Sequence, residues 1–110
     1  MPLSEFEIAR IQRLTDAFAA TYSRPDLKIT YDWEWIGSQS LIFRQHRIGF
    51  RETAVVLPIA KLRYVKSARH WVLYWQRASG RWHPYEPDIY PQLEVALDAV
   101  RVDRFGCFFG

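Results

Sequence analysis

The sequence predicts an α+β fold, with an N-terminal helix, an antiparallel meander of about five strands and a C-terminal helix. Two observations carry that prediction. Apolar residues recur at spacings of three and four near both ends of the chain, whereas between residues 27 and 85 they alternate with polar ones. The first period belongs to a helix with one buried face and the second to a strand with one buried face. Turn residues also punctuate the alternating stretch at short intervals, as hairpin connections require.

Ser4 followed by Glu7 matches a capping box, with Leu3 and Ile8 placed to form a hydrophobic staple. Ile8, Ile11, Leu14, Phe18 and Tyr22 then share one helical face, and the helix should end near Ser23, before Arg24 and Pro25. Leu27 to Ile36 alternates as a strand, with Leu27, Ile29, Tyr31, Trp33 and Trp35 on one side and Lys28, Thr30, Asp32 and Glu34 on the other. Gly37 and Ser38 turn the chain into a returning strand, Ser40 to Ile48, and Gly49 to Glu52 forms a second turn or bulge.

Thr53 to Val65 is a third strand interrupted by Pro58, which implies an edge, a bulge or a kink. Within it Ala60, Leu62 and Tyr64 face one way and Lys61 and Arg63 the other. His70 to Gln76 follows, and Ala78-Ser79-Gly80 leads into a last strand, Arg81 to Tyr85. Pro84, Pro87 and Pro91 mark the way out of the sheet, with Pro91 suited to the first turn of a helix. Leu93, Ala96, Leu97 and Val100 form its apolar stripe, Gly106 is placed to stop it, and the apolar tail should dock on the domain.

A length of 110 residues fits one domain over residues 1–110, and 49% hydrophobic with 25% charged residues is a globular composition, not a disordered one. No apolar run suits a signal peptide, and none approaches the roughly 18 residues of a membrane span, so a cytoplasmic protein with no membrane partner is expected. The lone cysteine, Cys107, rules out an internal disulfide framework and agrees with a reducing compartment. The net charge of +3 hides an asymmetry. Residues 61–85 hold six bases and no acid, and residues 86–110 hold five acids against two bases. Such a field favours a polyanion or a partner of complementary charge.

The candidate binding residues lie in that basic stretch: Lys61, Arg63, Lys66, Arg69, Trp71, Trp75, Arg77, Arg81 and Trp82. Aromatic rings on a sheet can stack on unpaired bases while cations neutralise phosphates, which makes single-stranded nucleic acid the first ligand to expect. The competing explanation is that the rings are core and cross-strand pairs. Trp71, Leu73 and Trp75 share one face of their strand while Val72 and Tyr74 share the other, so one apolar face is left over after the helices are placed. A protein partner or a homodimer using that face and the Phe105 to Gly110 tail is therefore the alternative.

No catalytic residue is assigned. Cys107 with His46, His70 or His83 would be needed for nucleophilic catalysis, and a small cysteine between Gly106 and Phe108 is ordinarily packing. No metal or cofactor is expected, since zinc-ligand spacing and nucleotide-binding loops are missing, and Asp32 with Glu34 reads as a solvated strand face. The leaning is to a non-enzymatic binding module.

The stretch WVLYWQRASGRWHPY at residues 71–85, AKLRY at residues 60–64 and DRFGCFFG at residues 103–110 resemble an uncharacterised family of short bacterial proteins, domain of unknown function 3024. The resemblance covers the C-terminal half. It implies a bacterial, cytoplasmic protein and brings no activity or site residue with it.

Overall fold

The computed structural model describes residues 3–37 and 39–109, without the side chains of residues 86–88; the predicted turn residue Ser38 lies outside the described residues. Helix α1 spans Glu5–Tyr22, strand β1 Ile29–Ile36, β2 Ser40–Ile48, β3 Ala54–Val65, β4 His70–Gln76 and β5 Trp82–Tyr90, and helix α2 spans Leu93–Val102. The strands form one antiparallel sheet in the order β1-β2-β3-β4-β5, so each pairs with its neighbour in sequence. This is the α+β meander between two helices that the sequence predicts.

The capping box forms: Glu7 N donates to Ser4 Oγ at 3.1 Å and Ser4 N to Glu7 Oε1 at 3.3 Å. The Ser4 hydroxyl bond holds the Glu7 carboxyl below its usual range. The helix ends with Ser23 as its C-cap. The α1 stripe and the α2 stripe of Leu93, Ala96, Leu97 and Val100 pack on the same side of the sheet, against Leu41, Phe43, Ala60, Leu62 and Leu73. Thr15, in the buried stripe of α1, keeps its hydroxyl satisfied on Ile11 O at 2.8 Å. Arg10 and Glu94 form an ion pair between the helices.

Beyond one-residue shifts at the starts of β3 and β5, four boundaries differ from the sequence reading. β1 begins at Ile29, because Pro25–Leu27 is a 3-10 turn followed by Lys28 at φ 59°, which leaves Leu27 exposed rather than on the buried face. β5 runs to Tyr90 through Pro84 and Pro87; as an edge strand it has an unpaired side on which a missing N–H costs nothing. Pro91 precedes the N-cap Gln92 instead of occupying the first turn of α2. Asp103, at φ 47°, ends α2 before Gly106 is reached.

Pro58 sits at the bulge between β2 and β3, where Phe43 pairs with Ala60 but Arg44 with Pro58. β4 pairs only from Lys61 onward, so Pro58 is locally on an edge although β3 is central. The tail docks as predicted through Phe109; Gly110 lies outside the described residues. Asp103 carboxylate oxygens accept from Phe108 N at 3.0 Å and Phe109 N at 2.8 Å. Phe108 then packs on Tyr85, ring centroids 4.9 Å apart, and Phe109 stacks on Tyr22 at 5.1 Å.

Both helices and the tail therefore cover the same face of the sheet. The molecule is elongated, 47 Å along its longest axis, and no described helix is long and apolar enough to cross a membrane.

Candidate functional site

Strand alternation sends Trp71, Leu73 and Trp75 of β4 to the covered face, and the pairing register then fixes every neighbour. On the open face, Lys61 lies opposite Tyr74 and Tyr74 opposite Pro84; one step along, Arg63 lies opposite Val72 and Val72 opposite Ile89. Trp82 pairs with Gln76 and stands diagonally from Tyr74 on the same face. Half-buried Tyr74 and Trp82 thus form an aromatic patch, bordered by Lys61 and Arg63. The Lys61 ammonium lies 5.3 Å from the Tyr74 ring centroid, within cation–π range.

The β1 and β2 half of the open face is electrostatically closed on itself. Arg44 donates to both Asp32 oxygens, Nε to Oδ1 at 2.9 Å and Nη2 to Oδ2 at 3.0 Å, and its Nη1 lies 3.1 Å from Glu34 Oε1. His46 Nε2 approaches Asp32 Oδ1 at 2.9 Å. Burial works to raise the Asp32 carboxyl, but the bonds from Arg44 and His46 outweigh it and hold the group below the usual carboxylate range. In turn, the Asp32 bond raises the Arg44 guanidinium above its ordinary value. No ion pair among the described residues claims Lys61 or Arg63.

The predicted binding residues separate into four places. Lys61, Arg63 and Trp82 share the open face. Trp71, only 4% exposed, lies in the core beside Tyr64, and Trp75 packs half-buried against the same core next to His83. These two tryptophans are not on the open surface, a correction whose cause is that both helices dock on the odd-numbered side of β4. Lys66 and Arg69 occupy the β3–β4 turn, where Arg69 adopts φ 53°. Arg77 and Arg81 flank the β4–β5 turn at the opposite end of the seven-residue β4, roughly 20 Å away at about 3.3 Å per residue. That turn is closed by Arg77 N donating to Arg81 O at 2.9 Å, and Gly80 supplies its φ of 87°.

Tyr74 joins the open-face patch although it is not among the predicted residues. Its signal was the alternation that sets it opposite Trp71 and Trp75, once the helix-covered side is known. Cys107 neighbours Tyr85 and Asp103 on the covered side, and burial, with the Asp103 charge second, pushes its thiol up, away from the reactive thiolate. His46 is on the other face, with Asp32. Among the described residues no group of three His, Cys, Asp or Glu side chains is arranged to hold a metal ion.

The chain belongs to a family of unknown function: the model of the domain of unknown function DUF3024 matches residues 1–110, the whole length rather than the C-terminal half alone. Neither a curated protein nor a solved structure matches the chain.

Proposed function

We propose that the chain is a non-enzymatic binding module whose open sheet face takes single-stranded nucleic acid. The supporting observation is the adjacency of Tyr74 and Trp82 with Lys61 and Arg63, which no ion pair among the described residues claims, on a face that neither helix covers. Flat rings accept bases of any sequence, and the flanking ammonium and guanidinium groups meet the phosphates. Lys61, already over the Tyr74 ring, can move to a phosphate when a base takes its place. A cytoplasmic setting suits both this ligand and a lone unpaired thiol.

The test is fluorescence anisotropy of labelled single-stranded DNA and RNA at two salt concentrations. Each stacked base is worth about 1–3 kcal/mol, so Tyr74→Ala or Trp82→Ala should weaken binding about tenfold or more. Lys61→Glu should weaken it and flatten its salt dependence. Absence of binding at low salt rejects the reading.

A second reading rests on different residues of the same face. Ile36, Val56 and Ile89 are exposed there at 42%, 51% and 53%, apolar surface that a second copy or a protein partner would cover. Sedimentation equilibrium decides this: a dimer that dissociates on Ile89→Asp supports it, and a monomer at all concentrations removes the homodimer.

A further inference from the structure

The antiparallel order places the start of β1, the β2–β3 turn and the β4–β5 turn at one end of the sheet, and the other two turns at the opposite end. This brings together residues that are remote in sequence. Phe50 stands at the tip of the β2–β3 turn with 86% of its surface exposed; Ile48 (46%) and Val56 lie on the two strands that this turn joins, and Leu27 (58%) lies just before β1, whose Ile29 pairs with Arg47. Beside them runs a cleft of about 240 Å³ lined by Pro25, Ile48, Val55 and Val56 together with Lys28 and Arg47.

β4, paired with β3 only from Lys61 onward, carries Arg77 and Arg81 short of this tip, whereas Lys28, Arg47 and Arg51 belong to it and are exposed. Against them the turns there present Glu52, while Arg24 and Asp26 neutralise each other at 3.1 Å. The tip itself is conformationally costly. Arg51 and Glu52 both hold positive φ, 58° and 57°, and Lys28 holds 59°, although none is glycine. Strain of this sort persists where a particular presentation is needed, and here it turns Phe50 outward with the Arg51 guanidinium 5.4 Å from its ring.

We propose that this end of the sheet docks on an anionic membrane surface, with Phe50, Leu27 and Ile48 entering the headgroup layer and Arg47, Arg51 and Lys28 meeting lipid phosphates. Charge complementarity selects an anionic partner. The aliphatic side chains select a lipid over a nucleic acid, since Leu, Ile and Val have no flat face for a base to stack on but gain by leaving water for acyl chain. Arginine beside an inserted phenylalanine can keep its head at the phosphates while its stem lies in the apolar layer. The sequence-based expectation of no membrane partner concerns apolar runs along the chain; this cap is assembled from separate segments and is peripheral, not spanning.

The experiment is cosedimentation of the full chain with phosphatidylcholine vesicles, with and without phosphatidylglycerol, at low and physiological salt. Binding that requires phosphatidylglycerol and weakens with salt is expected. Phe50→Ala should reduce vesicle affinity about tenfold with unchanged thermal melting, Phe50→Leu should restore most of it, and Arg51→Glu should reduce it about tenfold. Tyr74→Ala should leave it unchanged, which separates this site from the open-face platform. The proposal is overturned if no phosphatidylglycerol-dependent binding occurs at low salt, or if Phe50→Ala leaves vesicle binding intact. It is likewise overturned if Phe50→Ala weakens oligonucleotide binding while vesicles do not bind.

Discussion

On the covered face of the sheet, Leu41, Phe43, Ala60, Leu62 and Leu73 have no exposed surface. Their immediate neighbours in sequence, Ile42, Lys61, Val72 and Tyr74, stand on the other face with no helix above them. The strands are the same and the side chains are comparably large and often comparably apolar. What separates the two sets is a single register choice combined with the docking of two helices and a tail on one side. The covered face supplies the burial that offsets chain entropy, and the open face is left free to differ in charge along its width. At β1 and β2 that charge is tied up in the Asp32, Glu34, Arg44 and His46 cluster; no ion pair among the described residues ties up Lys61 or Arg63 of β3.

The sharpest way to break this comparison is a pair of truncations. Phe43→Ala should cost about 3–5 kcal/mol of unfolding free energy in a urea titration, through lost burial and a cavity. Tyr74→Ala, on the open face, should cost under about 1 kcal/mol. Similar losses for both would mean that something covers the open face in solution.

A smaller effect is expected where the tail extends the covered side. Asp103→Gly keeps the left-handed conformation accessible but removes the acceptor of the Phe108 and Phe109 amides. Stability should fall by about 1–2 kcal/mol, with faster amide hydrogen exchange at those two residues. An unchanged exchange rate would show that ring packing on Tyr85 and Tyr22 holds the tail without the carboxylate.

The smallest effect belongs to the exposed ion cluster. Because the folded-state carboxyl of Asp32 lies below its unfolded value, its contribution is present above the ordinary carboxylate range and disappears as pH falls through the depressed folded value. With Asp32 nearly half exposed, that contribution should be under about 1 kcal/mol. Comparing Asp32→Asn with the native protein from neutral to strongly acid pH should show a small gap that closes at the acid end. A gap that widens in acid would contradict the sign.

Much of this was legible in the chain itself. The Ser4 and Glu7 cap, the stripe from Ile8 to Tyr22, the stripe from Leu93 to Val100 and the alternation in β2 and β4 are local patterns, and local sterics and hydrogen bonding determine them. The opposition of Lys61 and Arg63 to Ala60 and Leu62 was equally readable. Which of two apolar faces on β4 would be buried was not, because a strand with Trp71 and Trp75 on one side and Val72 and Tyr74 on the other satisfies its own alternation either way. Only the docking of α1 and α2 chose, and that choice moved Trp71 into the core and Trp75 half-buried against it, and left Tyr74 on the open face. The same holds at the end of the sheet: Leu27 and Lys28 before β1 lie some twenty residues in sequence from Arg47, Ile48, Phe50 and Arg51. Strand order, a property of long-range pairing, makes them one surface.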